Sequence, residues 1–117
     1  MAHTRKKTHL CSNTQLREIR ILLRMLGRKV ARRAQSKGFA GSSVTIKLKY
    51  ADFQTVTRSM TLDKPTSDGV EIGNAAAELF NRIKDPRPIR LAGTGLSQLS
   101  AACESVAEQL LLPGMEN

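Results

Sequence analysis

Residues 44–62, VTIKLKYADFQTVTRSMTL, decide the fold of this chain. In an extended strand successive side chains point to opposite faces. Val44, Ile46, Leu48 and Tyr50 therefore share one face, and Thr45, Lys47 and Lys49 share the other. Ala51 and Asp52 mark a turn. Beyond it Val56, Met60 and Leu62 return to the apolar face, while Thr55, Thr57, Ser59 and Thr61 take the polar one. The stretch reads as a β-hairpin with one oily face and one face of cations and hydroxyls. A sheet with such a face is suited to lie along a phosphate backbone.

Working outward, residues 4–10 (TRKKTHL) read as a short polar edge strand. Ser12 and Asn13 offer helix N-caps. Leu16, Ile19, Leu23, Leu26 and Val30 then recur at helical spacing, with Leu22 widening the stripe. Arg17, Arg20, Arg24, Arg28, Arg32 and Arg33 fill much of the remaining circumference and read as a solvated face. Gly38 ends this helix. After the hairpin, Lys64-Pro65-Thr66-Ser67 breaks the sheet. Asp68 and Glu71 fit a capping box for a second helix, whose apolar stripe is Ile72, Ala76, Leu79, Phe80 and Ile83. Asp85-Pro86-Arg87-Pro88 stops it. A last strand follows, in which simple alternation turns Ile89 and Leu91 inward and Arg90 and Thr94 outward.

The expected fold class is α+β. The order β-α-β-β-α-β gives a sandwich in which two helices cover one face of a four-stranded, mostly antiparallel sheet. Residues 1–99 form this domain and residues 100–117 lie beyond it as a C-terminal tail. There is no internal repeat and no low-complexity tract.

A chain of 117 residues has room for one modest domain. With three Phe, one Tyr and no Trp, the core must be aliphatic. No apolar run approaches a membrane span and no signal peptide is visible. Cys11 and Cys103 have no metal-type spacing, and His3 and His9 add no second ligand pair. Two reduced cysteines in a cytoplasmic protein is the expected state. The net charge of +9 is unevenly spread. Residues 1–50 carry thirteen Lys and Arg against one acid, and residues 51–117 carry six against nine. The asymmetry favours an anionic partner held mainly by the first half. A membrane-surface helix would want aromatic anchors that are missing here, so nucleic acid is the expected partner.

Catalytic and metal-binding constellations are not evident. Asp52 and Asp63 read as turn residues, and Ser97 and Ser100 have no plausible His partner. Gly93-Thr94-Gly95 resembles half a phosphate loop but lacks the P-loop Lys-Ser/Thr, and a Gly pair ending a strand reads as a turn. No enzymatic activity is expected of this chain alone. The nucleic-acid candidates are Thr45, Lys47, Lys49, Thr55, Thr57, Ser59, Arg90 and Thr94 on the open sheet face. Arg58 is counted with them: simple alternation turns it inward, but a bulge or a place at the sheet margin could return it to the phosphate side. Without stacked aromatics on that face, duplex backbone is a better ligand than single-stranded bases. A solvated sheet face would also suit Lys and Thr.

VTIKLKYADFQTVTRSMTL, followed by PTSDGVEIGNAAAELF and RPIRLAGTGLSQL, closely resembles the little-finger domain of Y-family DNA polymerases. The likeness is strongest to the bacterial, polymerase IV-like branch of these translesion enzymes, and covers roughly residues 4–99. The resemblance implies a bacterial, cytoplasmic, nucleoid-associated protein that grips duplex primer-template DNA through its backbone, serving DNA repair by damage bypass. It also implies that catalysis, and the Mg²⁺ it needs, belong to palm, fingers and thumb domains not encoded here. No cofactor is expected in this domain. The chain is then either an excised domain or a naturally short one, and Met1 beside a basic segment is compatible with a cloned fragment. In the tail, Gln109, Leu110 and Leu112 resemble the sliding-clamp-binding peptide found at the ends of these polymerases, although Pro113-Gly114 stands where a terminal hydrophobic residue is usual. Leu99, Cys103, Val106 and Leu110 equally fit an amphipathic helix. The alternative function is therefore a protein-interaction module that binds the clamp or a repair partner, with DNA contact incidental.

Overall fold

The computed structural model describes residues 13–85, 87–97 and 105–111. Two helices and four strands follow one another as α1 (Asn13–Ser36), β1 (Gly41–Tyr50), β2 (Thr55–Thr66), α2 (Gly69–Arg82), β3 (Ile89–Ser97) and β4 (Ser105–Leu111). The strands form a single antiparallel sheet in the order β2-β1-β3-β4. Both helices pack on one face, α1 against β3 and β4 and α2 against β1 and β2. The α+β class and the four-stranded sheet covered by two helices are those expected.

The source of the fourth strand differs from the sequence reading. Residues 105–111, read there as tail, pair with β3 along seven register positions from Leu91↔Leu111 to Ser97↔Ser105. A domain boundary at residue 99 therefore cuts between two paired strands. The proposed strand at 4–10, Cys11, Cys103 and both histidines lie outside the described residues. β2 also runs through Pro65 to Thr66 instead of breaking at Lys64. The register jumps from Ser43↔Thr61 to Gly41↔Thr66, so extra β2 residues bulge out there. Proline is tolerated because β2 is an edge strand, whose outward N–H positions need no ladder partner.

The helix ends follow their local chemistry. At the C-terminus of α1, Gly38 adopts φ +68, the Gly38 N–H donates to Gln35 O, and the Phe39 N–H donates to Ala34 O. These two bonds are the Schellman pattern, and Phe39 is buried where its hydrophobic contact belongs. At the start of α2 the Asp68 carboxylate accepts from the Val70 N–H at 3.0 Å. The cap forms, but onto Val70 and not onto Glu71.

The core is aliphatic, as the composition requires. Ile19, Leu23, Leu26 and Val30 of α1 and Val44, Ile46, Leu48 and Tyr50 of β1 are all 2% exposed or less. Ile72, Ala76, Leu79 and Phe80 complete it from α2, and Val56, Met60, Leu62 and Ile83 close its margin. The helices meet almost backbone to backbone. A Cβ added to Gly27 would lie 2.8 Å from Gly73 Cα. Alanine at 27 would gain about 1 kcal/mol of helix propensity, but overpacking against a rigid backbone costs about 1–3 kcal/mol. The clash wins because no flexible side chain can yield. Gly27→Ala should lower the urea midpoint, and an unchanged or raised midpoint would refute this close approach.

Candidate nucleic-acid interface

Directly opposed residues in an antiparallel pair share a face. Thr45 opposes Ser59, Lys47 opposes Thr57 and Lys49 opposes Thr55. These six candidates stand together on the face away from the helices. Thr45 Oγ1 and Ser59 Oγ share a hydrogen bond at 2.8 Å, and Lys47, Thr55, Thr57 and Ser59 are exposed. On the other side of β1, Thr45 opposes Gly95, Lys47 opposes Gly93 and Lys49 opposes Leu91. β4 continues the face with Ala107 beside Gly95 and Gln109 beside Gly93. No carboxylate stands at any of these register positions. Glu108 alternates to the helix side, where Arg33 Nη1 meets its Oε2 at 2.6 Å.

The face has two textures. Its β1–β2 half presents ammonium groups and hydroxyls. Its β3–β4 half carries glycine at 93 and 95, with Gln109 leaning over Gly93, and forms a trough of about 280 Å³ bordered by Thr45, Lys47, Thr57, Ser97, Glu108 and Gln109. Glycine within a strand often marks a close approach by another backbone. Gly93-Thr94-Gly95 is thus the middle of β3, not the strand-ending turn that the sequence suggested. Its two glycines are the part of the face that sequence reasoning missed.

Thr94 is the clear departure among the candidates. It opposes Ile46, is 2% exposed, and its Oγ1 donates to Leu23 O of α1 at 3.3 Å. It belongs to the core. The cause is a β-bulge: Lys49 opposes Leu91 but Tyr50 opposes Ile89, so Arg90 and Leu91 together span one step of β1. One extra residue inverts the alternation of all that follow. Ala92, Thr94 and Leu96 consequently face the helices, and Leu91 moves to the open side. Arg90 lies within the bulge, with its guanidinium carbon 4.3 Å from the Phe53 ring centroid.

Arg58 keeps the direction of simple alternation. It opposes Ile46 in a register unbroken from Ser43 to Lys49, which puts it on the helix side. It is exposed only because β2 is the sheet edge, and its Nη1 donates to Thr57 O at 2.8 Å. The clamp candidates are also separated. Gln109 lies on the open face, Leu110 on the opposite face with 45% exposure, and Leu112 outside the described residues. Among the described residues no three His, Cys, Asp or Glu side chains are grouped to hold a metal ion.

One ionic cluster braces the end of this face. Arg87 Nη2 meets Asp85 Oδ2 at 2.5 Å, while its Nη1 reaches Asp52 Oδ2 at 3.1 Å and Gln54 Oε1 at 2.7 Å. Its guanidinium carbon also lies 4.1 Å from the Tyr50 ring centroid. The cluster ties the β1–β2 turn to the segment before β3. The Arg87 hydrogen bond holds the Asp85 carboxyl below its ordinary value. For Asp52 the Gln54 backbone N–H is the larger cause of the same shift, and Arg87 adds to it. Arg87 is in turn held more firmly protonated. A carboxylate whose pKa is depressed by folding stabilises the native state above its unfolded value and loses that contribution as pH falls through the folded one. The tip should therefore weaken as pH drops below about 3.8, the ordinary Asp value. Arg87→Gln should flatten that acid limb in a Tm-against-pH series; equal slopes in both proteins would contradict the pairing.

Two helices on one side of a four-stranded antiparallel sheet, with lysines and hydroxyls on the other, define the chain as an α+β domain with an open, basic sheet face. The chain belongs to the impB/mucB/samB family C-terminal domains, whose profile matches residues 8–112. It is similar to DNA polymerase IV of Desulfatibacillum aliphaticivorans, with 45% identity over 75 residues, covering 63% of this chain and 19% of that protein. It is also similar to DNA polymerase IV 1 of Mesorhizobium japonicum, with 40% identity over 85 residues, 73% of this chain and 19% of that protein. DNA polymerase IV 2 of Bacillus subtilis shares 34% over 88 residues, 73% of this chain and 21% of that protein. The chain thus spans about a fifth of the length of these relatives, and the family is the one its hairpin sequence resembles. No helix among the described residues is long and apolar enough to cross a membrane.

Proposed function

We propose that this domain grips duplex primer-template DNA by its phosphate backbone, as the non-catalytic holding part of a translesion DNA polymerase whose chemistry resides in other domains. The observation that carries this reading is the register of β1 and β2. Lys47 and Lys49 stand among Thr45, Thr55, Thr57 and Ser59 on one exposed face, with no acid interleaved. Ammonium groups neutralise phosphates and short hydroxyls hydrogen-bond to them, which fixes position without reading sequence. Arg90 extends the positive charge toward the turn. The trough beside Lys47, where Gly93 and Gly95 bring no side chains of their own, leaves room for a sugar-phosphate strand to settle against the sheet.

The domain's own part is to hold and orient the duplex while a separate core copies past damage. Mg²⁺ would belong to the acidic ligands of that core, and nothing in the grip is routed through it. Arg58 and Thr94 fall outside the proposed contact set, because both lie on the helix side of the sheet.

Salt dependence tests the reading. Neutralising Z phosphates releases counterions and gives a slope of about −0.9Z in log K against log salt. Lys47→Ala should reduce the magnitude of that slope by about 1 and weaken unrelated duplexes alike. Affinity indifferent to salt, or sequence preference lost at this one position, would overturn backbone gripping.

A further inference from the structure

The geometry points to Phe53, backed by Arg90, as a stacking platform for an unpaired nucleobase at the turn end of the DNA face. The inference rests on the duplex-gripping reading and adds a second ligand class, single-stranded DNA adjoining the duplex.

The turn itself is the first observation. The Phe53 N–H donates to Tyr50 O and the Tyr50 N–H donates to Gln54 O, each at 2.8 Å, closing a three-residue loop of Ala51, Asp52 and Phe53. The last position of such a loop takes the left-handed conformation and is normally glycine. Here it is phenylalanine at φ +70, the one non-glycine residue among those described with positive φ. A bulky side chain in this region costs stability, and such outliers concentrate at ligand-binding sites. A glycine would form the same turn without that cost, so the turn alone does not account for the ring.

The second observation is exposure. Phe53 is 64% exposed, the highest value among the large hydrophobic residues described. It contributes little to the core. The third is its neighbour: the Arg90 guanidinium carbon sits 4.3 Å from the ring centroid. A cation against one side of an aromatic ring leaves the other available for a second planar group. Arg90 is held there by the same bulge that inverts β3, and the Arg87 cluster braces the turn from Asp52 and Gln54. The platform is braced and stands at the turn end of the β1–β2 face that carries Lys47 and Lys49.

Every base presents a π-face, so stacking here would be tolerant of sequence. Stacking on an aromatic side chain strengthens binding by roughly 5- to 150-fold per base. The test is fluorescence anisotropy on the full chain with three labelled probes: a blunt duplex, the same duplex with a short single-stranded overhang, and the single strand alone. The overhang should tighten binding within that range. Phe53→Ala should erase the gain and leave blunt-duplex affinity unchanged, while Phe53→Trp should keep it. Phe53→Gly should lose the gain as well, with an equal or higher Tm because the left-handed strain is relieved.

An overhang that adds nothing overturns the inference. So do unchanged affinities in Phe53→Ala, which would mean the ring meets protein instead, and a lowered Tm in Phe53→Gly, which would mean that it serves folding. Loss of blunt-duplex binding at low salt would instead refute the gripping reading. The single-strand probe then decides the platform alone: weakening by Phe53→Ala supports it, and no weakening removes it.

Discussion

Reversing both open-face lysines, Lys47→Glu with Lys49→Glu, is expected to reduce duplex affinity by about 10²- to 10³-fold while leaving the fold intact. The change spans four units of charge, and a unit charge near a phosphate in water is worth about 1 kcal/mol. Salt screening removes part of the effect, which sets the lower end of the range. Stability should change little, because Lys47 is exposed and Lys49 only partly buried, and neither is among the core residues. The matched control is Arg58→Glu, which changes charge by the same sign on the helix side of the edge strand and should weaken binding far less. Binding isotherms at fixed salt, with Tm measured on each variant, separate the outcomes. Equal losses from the control and the double variant would show that net charge, not this face, attracts DNA.

The second large effect is expected from removing residues 105–117. If they formed a free clamp-binding tail, deletion would leave stability untouched and abolish only partner binding. Their pairing predicts otherwise. β4 supplies the outer ladder of β3 and contributes Val106, 4% exposed, to the core. It also contributes the Glu108 partner of Arg33 and the Ala107 carbonyl that accepts from the same guanidinium. Burial of a valine alone is worth about 1.5–3 kcal/mol against a typical total of about 5–15 kcal/mol. The strand it leaves exposed contains Gly93 and Gly95, which weaken any edge. Truncation should therefore lower the urea midpoint steeply or abolish the cooperative transition. A midpoint unchanged within error would return these residues to the status of a tail. The same pairing bears on clamp binding: drawing Gln109 and Leu110 into another protein's groove would first require β4 to leave β3.

Much of the architecture was legible because it depends on neighbours close in sequence. The hairpin from Val44 to Leu62 shows alternation on both arms, and every Thr and Lys assigned to its open face stands there. The stripes of α1 and α2, the cap at Asp68 and the stop at Gly38 were also readable, each being set within a few residues. Arg58 was counted with the open face against its own alternation, and the unbroken register from Ser43 to Lys49 leaves it on the helix side.

β4 was not readable in the same way. In SVAEQLL the apolar residues satisfy helical spacing with Leu99 and Cys103 as well as they satisfy strand alternation, and a short apolar run does not choose between them. The choice comes from β3, whose unpaired edge would otherwise be left open. Thr94 failed for a related reason. Nothing local to IRLAGTGLS announces the extra residue at Arg90, and only its register against β1 reveals it.

The chain by itself determined a basic, hydroxyl-lined hairpin, two amphipathic helices and the family to which they belong. These follow from side-chain period and local capping, which act over a few residues. Tertiary structure alone decided that Gly93 and Gly95 belong to the open face, which threonine is buried, and that residues 105–111 complete the sheet. Each depends on strand pairing between segments distant in sequence, where a one-residue shift turns every side chain to the other face.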